Sequence, residues 1–357
     1  MKNNISVIHV VEATATGTLS MVSLLANIQV RQGYSVSVIY SLRSESPKNI
    51  ADYFDSSVSL HQIQMSSPFL KLLSFFKIRR GLLYKNADHI FLHSSFAGFI
   101  GRVASIGING NYYYIPHCIS FMRKDLSKNK RKVFVFLEKL ANLKKCTYLA
   151  CSNSEREEIQ KEIPNASVLL LENAVDVPFW ESTRDSEREN IIINVGQIRI
   201  QKNPVMFAEI CKLTKKLNKD VRFFWVGDGD EYYKQVLVDS GVEVLGWKSK
   251  DEVKDLLEKS KIYLSTSLWE GLPVSPIESM IAGAVPVLSD CSGNKDLISN
   301  GINGFTFEAA QKAVDHIVRL IDNEELFNSI SFEAEGTSKN RYSIERYQNQ
   351  ITDIMGV

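Results

Sequence analysis

The stretch Ser265–Ile298, STSLWEGLPVSPIESMIAGAVPVLSDCSGNKDLI, decides the fold of this chain. It follows an apolar run at residues 262–264 and contains a predicted helix at residues 276–282 and a second apolar run at residues 284–288. Strand, loop, helix and strand in this order form the unit of a parallel sheet. Two glutamates, Glu270 and Glu278, lie on this unit with seven residues between them. Because ligands of parallel sheets bind where strands end and helices begin, both carboxylates are candidates for a ligand site.

The predicted helix allows two interpretations of Glu278. Its N-terminus offers free N–H groups and the positive end of a dipole, which suit a phosphate, and this favours a ligand site. The sequence Ser275-Pro276-Ile277-Glu278 also fits a capping box with proline in the first helical position. In that case the carboxylate bonds to the start of its own helix. The sequence leaves both interpretations open.

Further apolar runs form two series that alternate with predicted helices. The strands predicted in the first series are residues 5–11, 36–40, 90–92, 112–115, 148–151 and 168–171, and in the second residues 191–195, 221–226, 242–245, 262–264 and 285–288. Polar residues 181–190 separate the series and are interpreted as a crossing between domains. The pattern predicts an α/β protein of two doubly wound Rossmann-like domains, residues 1–178 and 179–340, with a cleft between them. A last helix is predicted near residues 343–355.

Composition indicates a globular protein of two ordinary domains. The 357 residues are 44% hydrophobic and 23% charged. Five cysteines, an odd number without metal-site spacing, favour reduced thiols and a cytosolic protein. The N-terminus is too short and too polar for a signal peptide, and no run reaches the roughly 18 apolar residues of a membrane span.

Charge is distributed unevenly along the chain. Residues 1–175 hold 21 Lys and Arg against 12 Asp and Glu, whereas the remainder holds 21 against 29. Within residues 71–145 the ratio is 15 to 3. A basic half joined to an acidic half indicates an anionic partner for the basic half.

The stretch 265–298 resembles the signature of retaining glycosyltransferases of family 4, which have the GT-B fold. Other segments match in the same order: residues 114–118 (YIPHC), 193–203 (INVGQIRIQKN), 223–230 (FFWVGDGD), 245–247 (LGW) and 293–298 (GNKDLI). The chain departs from the family at two points. Gln197 stands where the family has arginine, with Arg199 the nearest substitute, and only Gly17 is present where two adjacent glycines are usual.

The resemblance implies a set of site residues. As catalytic residues it implies Glu270, His117 and Lys202. As donor-binding residues it implies Gly17, Gly196, Arg199, Lys202, Gly227, Trp247, Lys248, Glu270, Gly271, Leu272, Pro273, Val274 and Glu278. On the acceptor side it implies His93, Thr16 and Thr18. A cation is needed because the departing nucleoside diphosphate gains negative charge as the glycosidic bond breaks, and Lys202 is the expected one.

Histidine and cysteine patterns are open to simpler interpretations. His117 fits a site residue, and it fits equally well a histidine at a strand end whose ring nitrogens are hydrogen-bonded within the protein. Cys118 beside it predicts no thiol nucleophile, because the chain has no oxyanion motif. His89 and His93 are four apart on a predicted strand, about 13 Å at the usual rise, which is too far for one metal ion. We expect no metal and no cofactor.

The family implies sugar transfer with retention and without a bound metal, by front-face displacement. The expected donor is a nucleotide-sugar, with UDP the commonest nucleotide in the family. The expected acceptor is a saccharide, usually on a polyprenyl diphosphate, in bacterial O-antigen, capsule or exopolysaccharide synthesis. Two alternatives remain: a nucleotide-sugar 2-epimerase on the same fold, and a non-catalytic partner subunit, which Gln197 and the missing glycine favour. No nucleic-acid partner is expected.

Residues 71–145 predict attachment to an anionic membrane surface, on the inner face of the cell membrane. Residues 71–86, KLLSFFKIRRGLLYKN, place five cations among apolar clusters, and residues 122–145 add nine cations. Such segments can lie in a lipid interface. In the alternative, Leu72, Leu73, Phe75 and Phe76 pack into the core and the cations are solvated.

Overall fold

A computed structural model describes residues 5–14, 16–43, 45–65, 68–85, 87–182, 188–217 and 220–357, with the backbone only at residues 16 and 68–72. Residues 183–187, inside the predicted crossing, therefore lie outside the described residues. The chain divides into two compact units. The first is Met1–Asn173 with Gln348–Val357, and the second is Ala174–Tyr347.

The first unit is built on a seven-stranded parallel sheet. Its strands are β1 (Ser6–Val11), β2 (Ser35–Tyr40), β3 (Ser59–Gln62), β4 (His89–His93), β5 (Asn111–Ile115), β6 (Thr147–Ala150) and β7 (Ser167–Leu170). Its helices are α1 (Thr16–Arg31), α2 (Pro68–Lys85), α3 (Ser95–Ala104), α4 (Lys128–Ala141) and α5 (Asn153–Glu162). The spatial order β3-β2-β1-β4-β5-β6-β7 reverses direction between β1 and β4. The carboxyl ends of these two strands therefore flank a topological switch point, where doubly wound sheets bind ligands.

The second unit repeats this plan with six parallel strands. They are β8 (Glu189–Val195), β9 (Arg222–Val226), β10 (Glu243–Gly246), β11 (Ser260–Ser265), β12 (Val285–Ser289) and β13 (Phe305–Phe307). Its helices are α6 (Val177–Trp180), α7 (Pro204–Leu217), α8 (Glu231–Asp239), α9 (Lys250–Lys259), α10 (Val274–Ile281), α11 (Ala310–Asp322) and α12 (Glu324–Arg341). The order β10-β9-β8-β11-β12-β13 places the switch point between β8 and β11.

The last helix, α13 (Ile344–Met355), ends in the first unit. There Met355 and Ile354 accept hydrogen bonds from Gln29 and Tyr113. No helix in the described part of the chain has the length and apolar character needed to cross a bilayer.

Burial on both faces explains why these segments are strands. Every residue of β4, β11 and β12 is buried, and such two-sided burial gives the near-continuous apolar runs visible in the sequence. The predicted fold class, with two doubly wound parallel sheets, is confirmed.

Several local predictions were wrong. Helix α1 begins at Thr16, so Gly17 and Thr18 lie in its first turn and not in the expected loop. The small polar residues there suit a helix start as well as a loop. Strands β3 and β13 were missed because each has only three or four residues. Helix α10 begins at Val274, two residues before the expected start.

Candidate functional site

Two loops meet at the switch point of the second unit. One follows β8 and contains the single helical turn Ile200–Lys202, and the other connects β11 to α10. The backbone N–H of Leu268 donates to the carbonyl of Gln201 at 2.8 Å, and the Thr266 hydroxyl donates to the carbonyl of Lys202 at 2.7 Å. These bonds fix the first loop against the second at the carboxyl ends of adjacent strands.

The side chains of Lys202 and Glu270 form an ion pair across these loops. Lys202 Nζ lies 2.8 Å from Glu270 Oε1, which also accepts from the Ser267 hydroxyl at 2.8 Å. The amide of Gln201 donates to Glu270 Oε2 at 3.2 Å. Only 14% of the lysine side chain and 9% of the glutamate side chain are exposed. The resemblance implied both residues for the site without a contact between them, and in the structure their side chains form an ion pair. An ammonium has three N–H donors, so this lysine can also bind a ligand.

Arg199 does not take part in this pair. It is exposed at the start of the turn Ile200–Lys202, and no hydrogen bond or ion pair of its side chain is found among the described residues. The position of the missing family arginine, Gln197, is half-buried. The cation that the loop directs at Glu270 is thus the lysine.

Close backbone approach explains two glycines beside the pair. A Cβ on Gly293, whose φ is 86°, would lie 2.6 Å from the carbonyl oxygen of Gly271 and 2.8 Å from Cβ of Glu270. A Cβ on Gly227, whose φ is 131°, would lie 2.2 Å from the carbonyl oxygen of Gly196. Both distances are too short for any side chain, so the loops after β8, β9, β11 and β12 pack together only with glycine there.

Glu278 lies in the second turn of α10, on the same β11–α10 unit as Glu270. Burial raises its carboxyl pKa from 4.5 to about 7, although the charge of Lys250 opposes this. The carboxylate forms no hydrogen bond or ion pair within the described residues. Pro273 occupies the N-cap position, and no side chain caps the helix. The capping-box interpretation was therefore wrong, and a half-buried acceptor is left available for a ligand.

The remaining expected donor residues occupy different environments. Gly271, Leu272 and Pro273 are buried in the loop before α10. Trp247 follows β10 and is 58% exposed, so it presents a large apolar surface to solvent. Lys248 pairs with Glu252 at 3.1 Å, one turn into α9. The structure therefore brings the loop residues to Glu270 and leaves Lys248 in an ion pair of its own.

Two buried asparagines and a cysteine at this edge were missed from the sequence. Asn194 donates to the carbonyl of Leu264 at 2.7 Å, and Asn294 donates to the hydroxyl of Ser289 at 3.1 Å. They tie the carboxyl ends of β8, β11 and β12 together. For Asn194 the signal in the sequence was a polar residue inside the otherwise apolar run IIINV, residues 191–195. The thiol pKa of Cys291 is raised to about 12, mainly by burial and to a smaller extent by the charge of Glu270.

Three histidine rings form a hydrogen-bonded chain at the switch point of the first unit. His9 Nδ1 lies 2.9 Å from His93 Nε2, and His93 Nδ1 lies 3.1 Å from His117 Nε2. His9 Nε2 lies 2.7 Å from Oε1 of Gln29 in α1. Burial lowers the ring pKa of His9 and of His117 to about 4, and that of His93 well below 6.5. All three imidazoles are therefore neutral at physiological pH.

The loop that presents His117 is held by Glu155 of α5. This buried carboxylate accepts from the backbone N–H groups of Cys118 at 2.9 Å and Ile119 at 2.7 Å. It also accepts from the N–H of Cys151 at 2.8 Å. His117 and Cys118 have φ values of 54° and 97°, which L residues rarely adopt, so the carboxylate stabilises a strained turn.

The expected acceptor-side residues divide into three cases. His93 is fully buried and both of its ring nitrogens bond to other histidines, so it has no free atom for a substrate. The side chain of Thr16 lies outside the described residues, while Thr18 is half-buried in the first turn of α1. His9 and Gln29 were missed, although a histidine inside the apolar run of residues 5–11 was a usable signal.

Among the described residues no group of three or more His, Cys, Asp or Glu side chains could hold a metal ion. His89 lies at the other end of β4 from His93 and contacts the Tyr113 hydroxyl at 3.3 Å.

Comparisons with known proteins agree with this architecture. Residues 179–336 match the family model described as glycosyl transferases group 1. The Escherichia coli enzyme named UDP-Gal:alpha-D-GlcNAc-diphosphoundecaprenol alpha-1,3-galactosyltransferase is 26% identical over 342 residues, covering 85% of each chain. An enzyme of Campylobacter jejuni, an alpha-1,4-N-acetyl-D-galactosaminyltransferase whose name gives a diNAcBac-PP-undecaprenol-linked saccharide, is 26% identical over 282 residues, covering 75% of this chain and 76% of that one.

Among solved structures, sucrose-phosphate synthase from Thermosynechococcus elongatus superposes with a TM-score of 0.86 at 12% identity, covering 98% of each chain. This likeness confirms the GT-B fold. Together the comparisons support a glycosyltransferase of the kind found in bacterial polysaccharide synthesis.

Proposed function

We propose that this chain transfers a sugar, with retention, from a nucleotide-sugar to a saccharide carried on a polyprenyl diphosphate. The observation that carries the proposal is the fixed Lys202–Glu270 pair at the switch point of the second unit, together with the carboxylate of Glu278 on the following helix, which has no partner in the described part of the chain. UDP is the expected nucleotide, and the name of the Escherichia coli relative, which gives a UDP-sugar and a diphosphoundecaprenol acceptor, supports both substrate classes.

The second unit supplies a group for each part of the donor. The ammonium of Lys202 and the uncapped N–H groups at the start of α10 suit the diphosphate. Glu270 can accept from a sugar hydroxyl through Oε2, which accepts only from Gln201 among the described residues and has a second acceptor position. Glu278 is an acceptor for the ribose hydroxyls. Exposed Trp247 suits stacking on the base.

The transfer step follows from where charge develops. The bond between the anomeric carbon and the diphosphate oxygen breaks as a bond to the acceptor oxygen forms on the same face of the sugar. The acceptor hydroxyl gives its proton to the leaving phosphate, so no protein base is needed. Lys202 and the helix dipole of α10 stabilise the diphosphate charge in place of a metal ion. We expect transfer to continue in the presence of EDTA.

The same proposal includes a membrane contact made by the first unit. Helices α2 and α4 both pack against α3, and they leave large apolar side chains exposed, with Phe76 at 60% and Phe136 at 64%. Exposed cations such as Arg80, Lys130 and Lys132 lie on the same two helices. Such a mixture fits an anionic lipid interface. In the alternative interpretation these apolar side chains would pack into the core instead. Among the described side chains this holds for Phe75, whereas Leu73 and Phe76 are exposed. The side chain of residue 72 lies outside the described residues.

Not every cation of this region is available to lipid. Arg79 donates to the carbonyls of Ala104 and Ile106 at 2.7 and 2.9 Å. Arg131 pairs with Glu158 and Glu162. A test of membrane binding must therefore spare these two arginines.

The membrane test compares two triple variants in flotation with anionic vesicles. Changing Arg80, Lys130 and Lys132 to glutamine removes three exposed cations, each worth about 1 kcal/mol near the surface, so binding should fall roughly 100-fold. Changing Lys212, Lys216 and Lys312, which are exposed on the second unit, removes the same charge and should have little effect. Equal losses in both triples, or equal recovery with neutral vesicles, would contradict a contact through α2 and α4.

The catalytic proposal is tested in two steps. Thermal stabilisation across a panel of nucleotides and nucleotide-sugars identifies the donor, since a ligand at 100 times its Kd stabilises by about 2.7 kcal/mol. Incubation of that donor with polyprenyl-diphosphate-linked saccharides should then release free nucleoside diphosphate and extend the acceptor by one sugar. An unchanged donor mass with no free diphosphate would indicate a 2-epimerase. Donor binding without turnover on any acceptor would indicate a non-catalytic partner.

A further inference from the structure

The hydrogen-bonded chain of Gln29, His9, His93 and His117 has a direction. The amide nitrogen of Gln29 faces the sulfur of Met355 at 3.8 Å, and its oxygen faces His9 Nε2 at 2.7 Å. An amide oxygen only accepts, so His9 Nε2 carries the ring proton. A neutral imidazole has one N–H and one lone pair. His9 Nδ1 is consequently an acceptor.

The same rule, one donor and one acceptor nitrogen in each neutral ring, applies to His93 and then to His117. His93 Nε2 must donate to His9 Nδ1, which leaves His93 Nδ1 as an acceptor. His117 Nε2 must then donate to His93 Nδ1, which leaves a lone pair on His117 Nδ1. That atom forms no hydrogen bond within the described residues, and the His117 side chain is only half-buried. The chain therefore ends in an acceptor that a ligand can reach.

Packing keeps the last ring from turning. The rings of His93 and His117 stack with centroids 5.4 Å apart and planes 14° apart, and those of His9 and His93 with centroids 5.2 Å apart. The backbone at His117 is fixed separately, through the bonds that Glu155 accepts from the next two N–H groups. A ring held by His93 and by its fixed backbone offers its free nitrogen in one direction.

We propose that Gln29, His9 and His93 are positioning residues that hold His117 in its Nε2–H form, so that His117 Nδ1 accepts a hydrogen bond from a hydroxyl of a sugar substrate. This inference rests on the proposed sugar transfer. It gives the sheet of the first unit a role in orienting a sugar, through atoms that never touch it. The ring accepts a hydrogen bond without removing the proton, because burial lowers the pKa of His117 to about 4 and so makes the ring a weak base.

Nitrogen NMR of histidine-labelled protein tests the direction without any substrate. Two-bond proton–nitrogen spectra distinguish a protonated ring nitrogen from one with a lone pair. Of the six histidines, His9, His93 and His117 should all show the Nε2–H form near neutral pH. An Nδ1–H form at any of the three would overturn the proposal, whatever the activity of the enzyme.

A pair of matched variants tests the role of the chain. Gln29→Met removes the acceptor for His9 while nearly preserving side-chain length, so His117 should show a mixture of both ring forms. Gln32 directly follows the same helix, and Gln32→Met also removes a bond to the last helix, from Gln32 to Thr352 at 2.9 Å, but Gln32 is not part of the hydrogen-bonded chain of histidines. It should leave the His117 signal unchanged.

Sugar transfer by the same two variants completes the test. Gln29→Met should lower kcat/KM about tenfold, the effect of one lost hydrogen bond. Gln32→Met should match wild type. A mixed His117 signal with unchanged kcat/KM would overturn the positioning role. A wild-type protein with the expected ring forms but no transfer would instead refute the proposed function and leave the direction of the chain established.

Discussion

The pH dependence of UDP binding tests the assignment of Glu278 to the ribose hydroxyls. Hydroxyl groups donate best to an ionised carboxylate, so a bound ribose should return the pKa of Glu278 from about 7 towards its ordinary value of 4.5. Protonation of the free protein then competes with nucleotide binding. The affinity for UDP should be highest above pH 7 and should fall as the pH is lowered.

The size of the effect follows from the two pKa values. If binding restores the pKa fully, the dissociation constant rises roughly 30-fold between about pH 8 and about pH 5.5, because the free carboxyl is then almost wholly protonated. Incomplete restoration gives a smaller rise in the same direction. Titration calorimetry over this range measures the dissociation constant directly.

The terminal phosphate of UDP also titrates in this range, and the variant Glu278→Gln corrects for it. Glutamine keeps the size of the side chain and has no proton to lose. The difference in pH slope between wild type and Glu278→Gln is therefore the contribution of the carboxyl. Equal slopes for the two proteins would refute the assignment to ribose.

Three further predictions concern the same unit. Without ligand, the free energy of unfolding of wild type relative to Glu278→Gln should decrease as the pH rises from 4.5 to about 7, because the folded carboxyl binds its proton more tightly than the unfolded one; a rise in denaturant titrations would contradict the raised pKa. Lys202→Ala should lower kcat about 100-fold, whereas Arg199→Ala should change it less than about threefold, and equal losses in steady-state assays would mean that the arginine serves the diphosphate. Gly293→Ala should weaken binding of the nucleotide-sugar about tenfold through its clash with the neighbouring loop. Gly301→Ala has a similar φ of 79° and open space around it, so it should not weaken binding, and equal weakening would exclude the clash as the cause.

The sequence predicted the sheets well because strands buried on both faces leave long apolar runs. All eleven predicted strands are present in the structure. Strand β3, with the sequence SLHQ, was missed because it is largely exposed and has no such run. The start of α10 was misplaced because Ser275-Pro276 imitates a cap so closely. The structure puts Pro273 at the N-cap position instead.

Residues of the candidate site could be named where the sequence resembles the motifs of the glycosyltransferase family. Lys202 and Glu270 were named from separate segments, and their side chains meet at 2.8 Å. The histidine chain could not be predicted, because its members come from two strands, the loop after β5 and one helix, which are remote in sequence. Only the strand order, with β1 beside β4 and β4 beside β5, brings His9, His93 and His117 into one line.

The alkylation rate of Cys291 can report on movements of the loops proposed to bind the donor. We expect its thiol to react slowly with alkylating reagents, because burial and the charge of Glu270 raise its pKa to about 12 and only the thiolate is a nucleophile. Of the other cysteines only Cys118 is partly exposed, so a single serine substitution there isolates the signal. Any ligand that draws Glu270 away or opens the loop after β12 will accelerate alkylation. The rate of a simple thiol reaction thereby reports movements that leave no trace in turnover.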